Sequence, residues 1–362
     1  MHATKITIQL KAISHNLAEI RRLQPQSKIV CMIKANAYGH GLIPVAKALS
    51  DADALGVATL TEALQLRHAG IDKSIVVMRG FLNAEELDIF LRDDKLIACV
   101  HTLSQIDCIE LHAQHNHALS VWLKVDTGMH RLGISPEDFR DAYARLSRLA
   151  CIKKPLVICS HLADAANVDD TFTQKQIACF DKLTASLPVQ KSLLNSAGIL
   201  SQKKSTYDWI RPGLILYGAL PFSDTRQKVF SQFQSAMTFT SRVIAVKTVN
   251  AGETIGYTCA FTASRKMTIA VAGLGYGDGY PRSASSGTPV LIHGQRAPLV
   301  GHVSMDMIAV DVSAISSVEI GDEVILWGEQ LPVAEIADYS RTISYELLCQ
   351  LISRGRTHVD YA

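Results

Sequence analysis

Short apolar runs recur through the first 210 residues, separated by stretches with helical periodicity. The runs predict strands at 28–33, 54–58, 74–78, 97–101, 119–125, 155–160, 191–195 and 208–211. Residues 59–70, 83–94 and 135–149 carry apolar positions three and four apart and predict helices. The last of these opens with Ser135, Pro136 and Glu137, an expected N-cap followed by a first-turn proline and acid. Gly70 is the expected C-cap of the first. The strands are continuous apolar runs rather than strict alternators, which suits a parallel sheet covered on both faces. Eight such strands alternating with helices predict an α/β domain, a (β/α)8 TIM-like barrel. A doubly wound open sheet shares this periodicity, because pattern alone does not report closure.

The texture changes near residue 230. Strands are expected at 236–249, 267–271, 289–293, 297–303, 306–312 and 323–327, between glycine-bearing turns, with a helix over 344–352. This predicts a barrel domain over 1–230 and a C-terminal mostly-β domain over 231–362. Residues 4–10 alternate like a strand with no partner among the eight, so residues 1–10 are expected to join the second domain.

Length agrees, since 362 residues at roughly 150 per domain is about two domains. Lys and Arg number 36 against 34 Asp and Glu, so the charge bias expected of a nucleic-acid binder is missing. No apolar stretch approaches the roughly 18 residues that would span a bilayer, and the opening MHATKITIQL lacks a secretory apolar core. The eight cysteines include no C-x-x-C pair, and several sit in apolar runs. They read as small buried hydrophobes in a reducing compartment, which predicts a cytoplasmic protein with no metal site.

Barrel enzymes carry their chemistry at the C-terminal ends of the strands. The first strand ends at Lys34, directly after five apolar residues. Desolvation disfavours the charged amine and makes such a lysine a candidate Schiff-base former or base, while its bland role is a snorkelling strand end. The loops after strands seven and eight, where these barrels commonly bind phosphate, hold Asn195-Ser196 and Pro212-Gly213-Leu214. A lysine facing such a site suggests pyridoxal 5'-phosphate, with Arg211 placed to meet the pyridine nitrogen.

The segment Lys34-Ala35-Asn36-Ala37-Tyr38-Gly39-His40-Gly41 closely resembles the cofactor-attachment motif of bacterial alanine racemases. The resemblance continues in family order through Lys124-Val125-Asp126-Thr127-Gly128-Met129-His130-Arg131, Asn195-Ser196, Arg211-Pro212-Gly213, Ile255-Gly256-Tyr257, Gly275-Tyr276-Gly277-Asp278, Val303-Ser304-Met305-Asp306 and Ser344-Tyr345-Glu346-Leu347-Leu348-Cys349. It implies a barrel plus a β-domain, a homodimer with shared active sites, and alanine as substrate. It assigns cofactor attachment to Lys34 and phosphate binding to Tyr38, Ser196, Gly213 and Leu214. It places His161 near the cofactor ring and Arg211 at the ring nitrogen. Arg131 would meet the substrate carboxylate, supported by Lys124, a position carbamylated in some members. Tyr257 would be the second base and Met305 a substrate contact, both supplied by the partner subunit. Tyr276 would line the entrance, with Asp306 beside Met305. Three positions depart from the family pattern: His302, Met307 and Ser353.

Racemisation needs a proton acceptor on each face of the α-carbon, and Lys34 and Tyr257 form that pair by resemblance. The product D-alanine would feed peptidoglycan or be consumed in catabolism. Two other readings share parts of this pattern. One is an amino-acid decarboxylase of the same fold, against which Arg211 argues, since that class places an acid at the ring nitrogen. The other is a non-catalytic pyridoxal-phosphate carrier, against which the β-rich second half and Tyr257 argue. Asp126-Thr127-Gly128 spells an aspartic-protease triplet but occurs once, and that chemistry needs two facing carboxylates. Gly273 to Gly279 is glycine-rich, but Tyr280-Pro281 follows rather than a helix, so a dinucleotide loop fails its context. His112, His115 and His117 lie in a polar stretch that reads as a solvated loop.

Overall fold

A computed structural model describes residues 4–112, 118–167, 169–202, 207–222, 230–351 and 358–362. His115, His117 and Ser353 lie outside the described residues. The chain divides into two compact units. One comprises Leu17–Ala37 and Val45–Leu216; the other comprises the N-terminal segment up to Asn16, Tyr38–Pro44 and Tyr217–Ala362.

The first unit is a closed parallel barrel. Strand β1 (Lys5–Ile8) stands outside it. The barrel strands are β2 (Lys28–Met32), β3 (Ala54–Val57), β4 (Ile75–Val77), β5 (Leu96–Val100), β6 (Ser120–Lys124), β7 (Val157–Cys159), β8 (Gln190–Asn195) and β9 (Trp209–Arg211). Each pairs in parallel with its neighbour, and the register Lys28↔Trp209, Ile29↔Ile210 joins β2 to β9 and closes the ring. The open-sheet alternative is thereby removed. The strands are apolar on both faces because one face packs into the lumen and the other against helices. Leu87 and Phe90, Phe139 and Leu146, and Phe180 are buried from the outer helices. Each such side chain contributes about 1.5–3 kcal/mol relative to exposure.

Helix Leu60–His68 starts on a capping box, in which Thr59 and Glu62 satisfy each other's backbone donors. It ends on Gly70 at φ +78°, where Gly70 N–H donates to the Arg67 carbonyl and Ile71 N–H to that of Leu66. That is the Schellman arrangement, and a left-handed residue there favours glycine. The helix expected from Ser135 starts later, at Phe139. Ser135 instead closes a turn with Asp138, accepting from its N–H at 3.1 Å and donating to its carboxylate at 2.8 Å. A serine caps a turn as readily as a helix, and here the turn holds Pro136 and Glu137.

The lumen is filled in layers. Trp122 and Trp209 pack with ring centroids 5.6 Å apart, and Lys28 Nζ lies 5.1 Å from the Trp209 ring. Toward the C-terminal ends of the strands, Lys124, Cys159 and Ser192 stand side by side in register on β6, β7 and β8. All three are buried.

The second unit is a mostly antiparallel sheet built around β10 (Met237–Val249). Strand β1 pairs with it antiparallel, Lys5↔Thr240 through Ile8↔Met237, and with His358–Tyr361 in parallel. Strand β10 also pairs with Met267–Ala272 and Glu323–Trp327. The strand expected at 297–303 is displaced to Gln295–Pro298, and Leu299 keeps a single bridge to Val310 before the chain turns at Gly301. Helix Ser344–Leu351 forms where expected, and a short helix at Val333–Tyr339 was not anticipated. Its buried Val333, Ala334, Ile336 and Ala337 give too short a period to separate from a loop. No described helix is long and apolar enough to cross a membrane.

Candidate active site

Lys34 follows β2 and opens an unusual turn. Ala35, Asn36, Ala37 and Tyr38 all have φ between +52° and +55°, and Gly39 has φ +76°. This is a left-handed helical turn, which costs L-residues roughly 1–2 kcal/mol each. Contacts hold it in place. Ala35 N–H donates to Glu62 Oε1 at 2.7 Å, and Ala37 N–H to the Ile33 carbonyl at 2.8 Å. The other Glu62 oxygen accepts from the N–H groups of Ala58 and Thr59. One carboxylate therefore caps a barrel helix and anchors the residue after Lys34. The sequence pattern placed a helix over 59–70, but no local signal tied Glu62 to Lys34.

The barrel mouth carries buried positive charge. Arg211 is buried, and its guanidinium donates to Ser192 Oγ at 2.6 Å, to the Ser160 carbonyl at 2.5 Å and to the Leu193 carbonyl at 3.3 Å. His161 Nδ1 lies 3.4 Å away. These partners are all uncharged, and burial pulls the Arg211 pKa below its usual value. Burial likewise lowers the Lys124 amine, opposed by Cys159 and Cys99 and reinforced by Arg211 and Arg131. His161 is held well below the usual imidazole range, first by burial and then by Arg211, Lys124, Arg131 and Lys34. The thiols of Cys99 and Cys159 meet at 3.8 Å inside the lumen. The cysteines are free; Cys31, Cys99, Cys151 and Cys159 are buried, as apolar side chains would be, Cys108, Cys179 and Cys349 are half-buried, and Cys259 is exposed.

The loop after β7 is braced by the buried Gln176, a residue the sequence reading missed. Its side chain donates to the His161 carbonyl at 3.0 Å and to Thr127 Oγ1 at 3.3 Å, and accepts from Ala163 N–H. Thr127 in turn meets Ser160 Oγ at 2.8 Å. Asp126 accepts from the N–H groups of Gly128 and His130, shaping the loop that leads to the exposed Arg131. The protease triplet is thus a loop-shaping carboxylate.

The loops after β8 and β9 are joined directly. Asn195 caps the short helix Ser196–Ser201 by accepting from Gly198 N–H, and its amide donates to the Leu162 carbonyl at 3.0 Å. Ser196 Oγ accepts from Gly213 N–H at 2.9 Å, beside the turn that begins at Leu214. The barrel thus brings Lys124, His161, Asn195, Ser196, Arg211 and Gly213 together around its mouth.

Tyr38, Tyr257, Tyr276, Met305 and Asp306 belong to the other unit. Tyr38 is buried there, its ring 5.0 Å from Tyr217 and 5.8 Å from Tyr345, and burial pushes its phenol pKa up. A Cβ on Gly39 would lie 2.0 Å from the Leu348 carbonyl oxygen, so only glycine fits this close approach. Tyr276 N–H donates to the Ser304 carbonyl and Gly277 N–H to that of Met305, which sets the Tyr276 turn on the Met305–Asp306 loop. Tyr257 opens a short turn in which Thr258 and Cys259 have φ +58° and +51°. Tyr257 is 67% exposed and Met305 51%.

The mouth suits an anionic group: the buried Arg211 and Lys124 stand there with uncharged neighbours, Arg211 beside His161. Among the described residues no cluster of His, Cys, Asp or Glu could hold a metal ion. Fold and site together define a two-part barrel enzyme with a lysine at the end of the first strand and an anion-binding mouth. Residues 8–221 match the family model "Alanine racemase, N-terminal domain", and residues 236–359 match "Alanine racemase, C-terminal domain". The chain is 47% identical over 358 residues to a Coxiella burnetii alanine racemase, covering 98% of each. It is 44% identical over 354 residues to the biosynthetic alanine racemase of Escherichia coli K12, again covering 98% of each. The biosynthetic alanine racemase structure from Pseudomonas aeruginosa superposes with a TM-score of 0.94 at 37% identity, over 100% of both chains. That of Bartonella henselae, with covalently bound pyridoxal phosphate, gives 0.87 at 29% identity, over 100% of both. The chain belongs to the alanine racemase family, whose members are pyridoxal-phosphate-dependent isomerases.

Proposed function

We propose that this chain interconverts L- and D-alanine using pyridoxal 5'-phosphate, with Lys34 and Tyr257 as its two proton-transfer groups. The cofactor, when bound, withdraws electrons from the α-carbon and acidifies its proton. Lys34 would hold the cofactor and would move a proton at its Nζ on one face of the α-carbon. The Tyr257 hydroxyl serves the opposite face. Inversion follows when one group takes the proton and the other returns one.

The other residues bind and orient. Tyr38, Ser196 and the backbone of Gly213 and Leu214 hold the phosphate, with Asn195 fixing the loop that presents Ser196. His161 would pack beside the cofactor. Arg211 would hold the cofactor ring as a donor, because a guanidinium does not give up its proton near neutrality. Arg211 would thus offer a hydrogen bond without surrendering a proton, which would favour return of the proton to the α-carbon. Arg131 meets the substrate carboxylate, with Lys124 behind it. Met305, Asp306 and Tyr276 shape the entrance.

Two copies of the chain form the working unit, each lending Tyr257 and Met305 to its partner. The exposure of the large side chains Tyr257, Met305 and Met307 supports this, since a partner subunit would cover them. The free cysteines support a cytoplasmic location. Similar curated relatives are named biosynthetic, which supports supply of D-alanine to peptidoglycan.

The observation that carries this reading is Lys34 just beyond the first barrel strand, at a mouth where the buried Arg211 is held by uncharged acceptors. Purified protein given L-alanine should form D-alanine until the two enantiomers are equal. Release of carbon dioxide without D-alanine would establish the decarboxylase instead, and spectral binding of the cofactor without turnover would establish the carrier.

A further inference from the structure

Helix Thr171–Thr184 buries Thr173, Gln176, Phe180 and Thr184, which recur three and four residues apart along one face. An apolar side chain would fill the second position at lower cost, because a buried amide must recover the hydrogen bonds it made to water. Gln176 is fully buried and recovers three. Its oxygen accepts from Ala163 N–H at 2.9 Å. Its nitrogen donates to the His161 carbonyl at 3.0 Å and to Thr127 Oγ1 at 3.3 Å. A backbone donor on one side and a backbone acceptor on the other allow the amide only this orientation.

These bonds reach two loops. His161 and Ala163 belong to the loop after β7, and Thr127 to the loop after β6. The loop after β6 is closed at its neck: Asp126 N–H donates to the Ile134 carbonyl and Ile134 N–H to that of Lys124, both at 2.9 Å. Inside it the Asp126 carboxylate accepts from Gly128 and His130 N–H. Arg131 therefore rides on a closed loop that Thr127 ties to the helix. Gly128 seats the loop on the same helix face: a Cβ there would lie 3.3 Å from Phe172 Cζ and 3.8 Å from Gln176 Cγ. From Thr127 Oγ1 the network continues to Ser160 Oγ at 2.8 Å, and the Ser160 carbonyl accepts from Arg211.

We propose that Gln176 is a positioning residue for the reaction: its one amide holds the loop of His161 and the loop of Arg131 in a fixed relation, which aligns the cofactor with the substrate carboxylate. The brace stands on this geometry. Its consequence for turnover rests on the placement of His161 beside the cofactor and of Arg131 at the substrate carboxylate.

Gln176→Met keeps the reach of the side chain and removes all three bonds. Thr127→Val keeps the shape of threonine and cuts the arm to the Arg131 loop, leaving the bonds to His161 and Ala163. Thr127→Ser restores the hydroxyl. In the holoenzyme, amide exchange at Ala163 and Gly128 should rise about tenfold or more in Gln176→Met, and at Gly128 alone in Thr127→Val. Gln176→Met should raise KM for alanine about fivefold or more and speed release of pyridoxal phosphate about threefold. Thr127→Val should raise KM as much, with kcat and cofactor release within about twofold of the parent, and Thr127→Ser should recover the parent KM. A lower melting temperature with KM and cofactor release unchanged in Gln176→Met would make the amide merely structural and overturn the proposal. An unchanged KM in Thr127→Val, or no recovery in Thr127→Ser, would overturn the arm to Arg131. Where Gln176→Met fails to fold, the two Thr127 variants decide the proposal by the same criteria. The exchange rates read the brace even if the parent forms no D-alanine, so failure of the brace is distinguishable from failure of the assigned reaction.

Discussion

Arg211 and Ser192, on neighbouring barrel strands, share a hydrogen bond of 2.6 Å, and both are fully inside the protein. The bond carries one edge of a buried guanidinium whose other partners are two backbone carbonyls and His161 Nδ1. Ser192→Ala leaves an N–H of that cation without its acceptor, at a cost of about 1–3 kcal/mol. Urea denaturation of the holoenzyme measures the loss. Arg211→Glu places a proton acceptor where a fixed donor stood. The ratio of racemisation to transamination should then fall, read from pyruvate against D-alanine. An unchanged ratio removes Arg211 from the control of reaction type.

Tyr257→Phe keeps the ring and deletes the proton-transfer atom. Removal of the α-proton from L-alanine should suffer more than removal from D-alanine. Deuterium incorporation into each enantiomer checks this separately, and an equal loss in both directions would refute the two-base assignment.

Glu62 joins the helix cap at Thr59 to the left-handed turn at Ala35. Glu62→Ala should cost about 0.5–2 kcal/mol in stability from the cap alone. It should also speed cofactor loss by releasing the turn after Lys34. Glu62→Gln keeps one acceptor oxygen and should restore part of both. A cap that was merely structural would change the melting temperature and leave cofactor release untouched.

The neutral state of His161 makes stability depend on pH. Its folded pKa lies well below 6.5, because burial and the surrounding cations oppose a further charge. The unfolded chain takes up a proton near pH 6.5 and the folded protein does not until much lower. Stability is therefore insensitive to this group above pH 7 and falls as pH drops from 6.5 toward the folded value, by up to about 1.4 kcal/mol per pH unit. His161→Asn should flatten that decline in urea titrations run between about pH 7 and 5.

Burial lowers the Lys124 pKa, which enlarges the fraction of neutral amine at a given pH. A neutral amine adds to carbon dioxide and sheds a proton to give a carbamate. Labelled bicarbonate should yield a carbamate carbon signal that is lost in Lys124→Met. A signal that persists in the variant would place the modification elsewhere.

Much of the barrel was legible because its strands are short apolar runs whose ends need only local pattern to find. Lys34, Arg211 and Asn195-Ser196 were legible for the same reason, as polar residues standing where such runs stop. The strand at 297–303 was misplaced because an apolar run does not report where its partner strand ends. The helix Phe139–Arg148 starts later than the pattern predicts because a serine hydroxyl serves a turn as readily as a helix cap, and Ser135 closes the turn.

The sequence by itself determined which residues leave apolar strands with chemistry attached, and that is a property of nearest neighbours along the chain. Only the tertiary structure decided that Glu62 anchors the turn after Lys34 and that Gln176 braces His161. It also decided that Arg211 is buried among neutral acceptors and that Tyr217 backs Tyr38. Those relations join positions 15 to 179 residues apart. Their energies come from burial and hydrogen-bond geometry, which no local pattern of apolar and polar residues encodes.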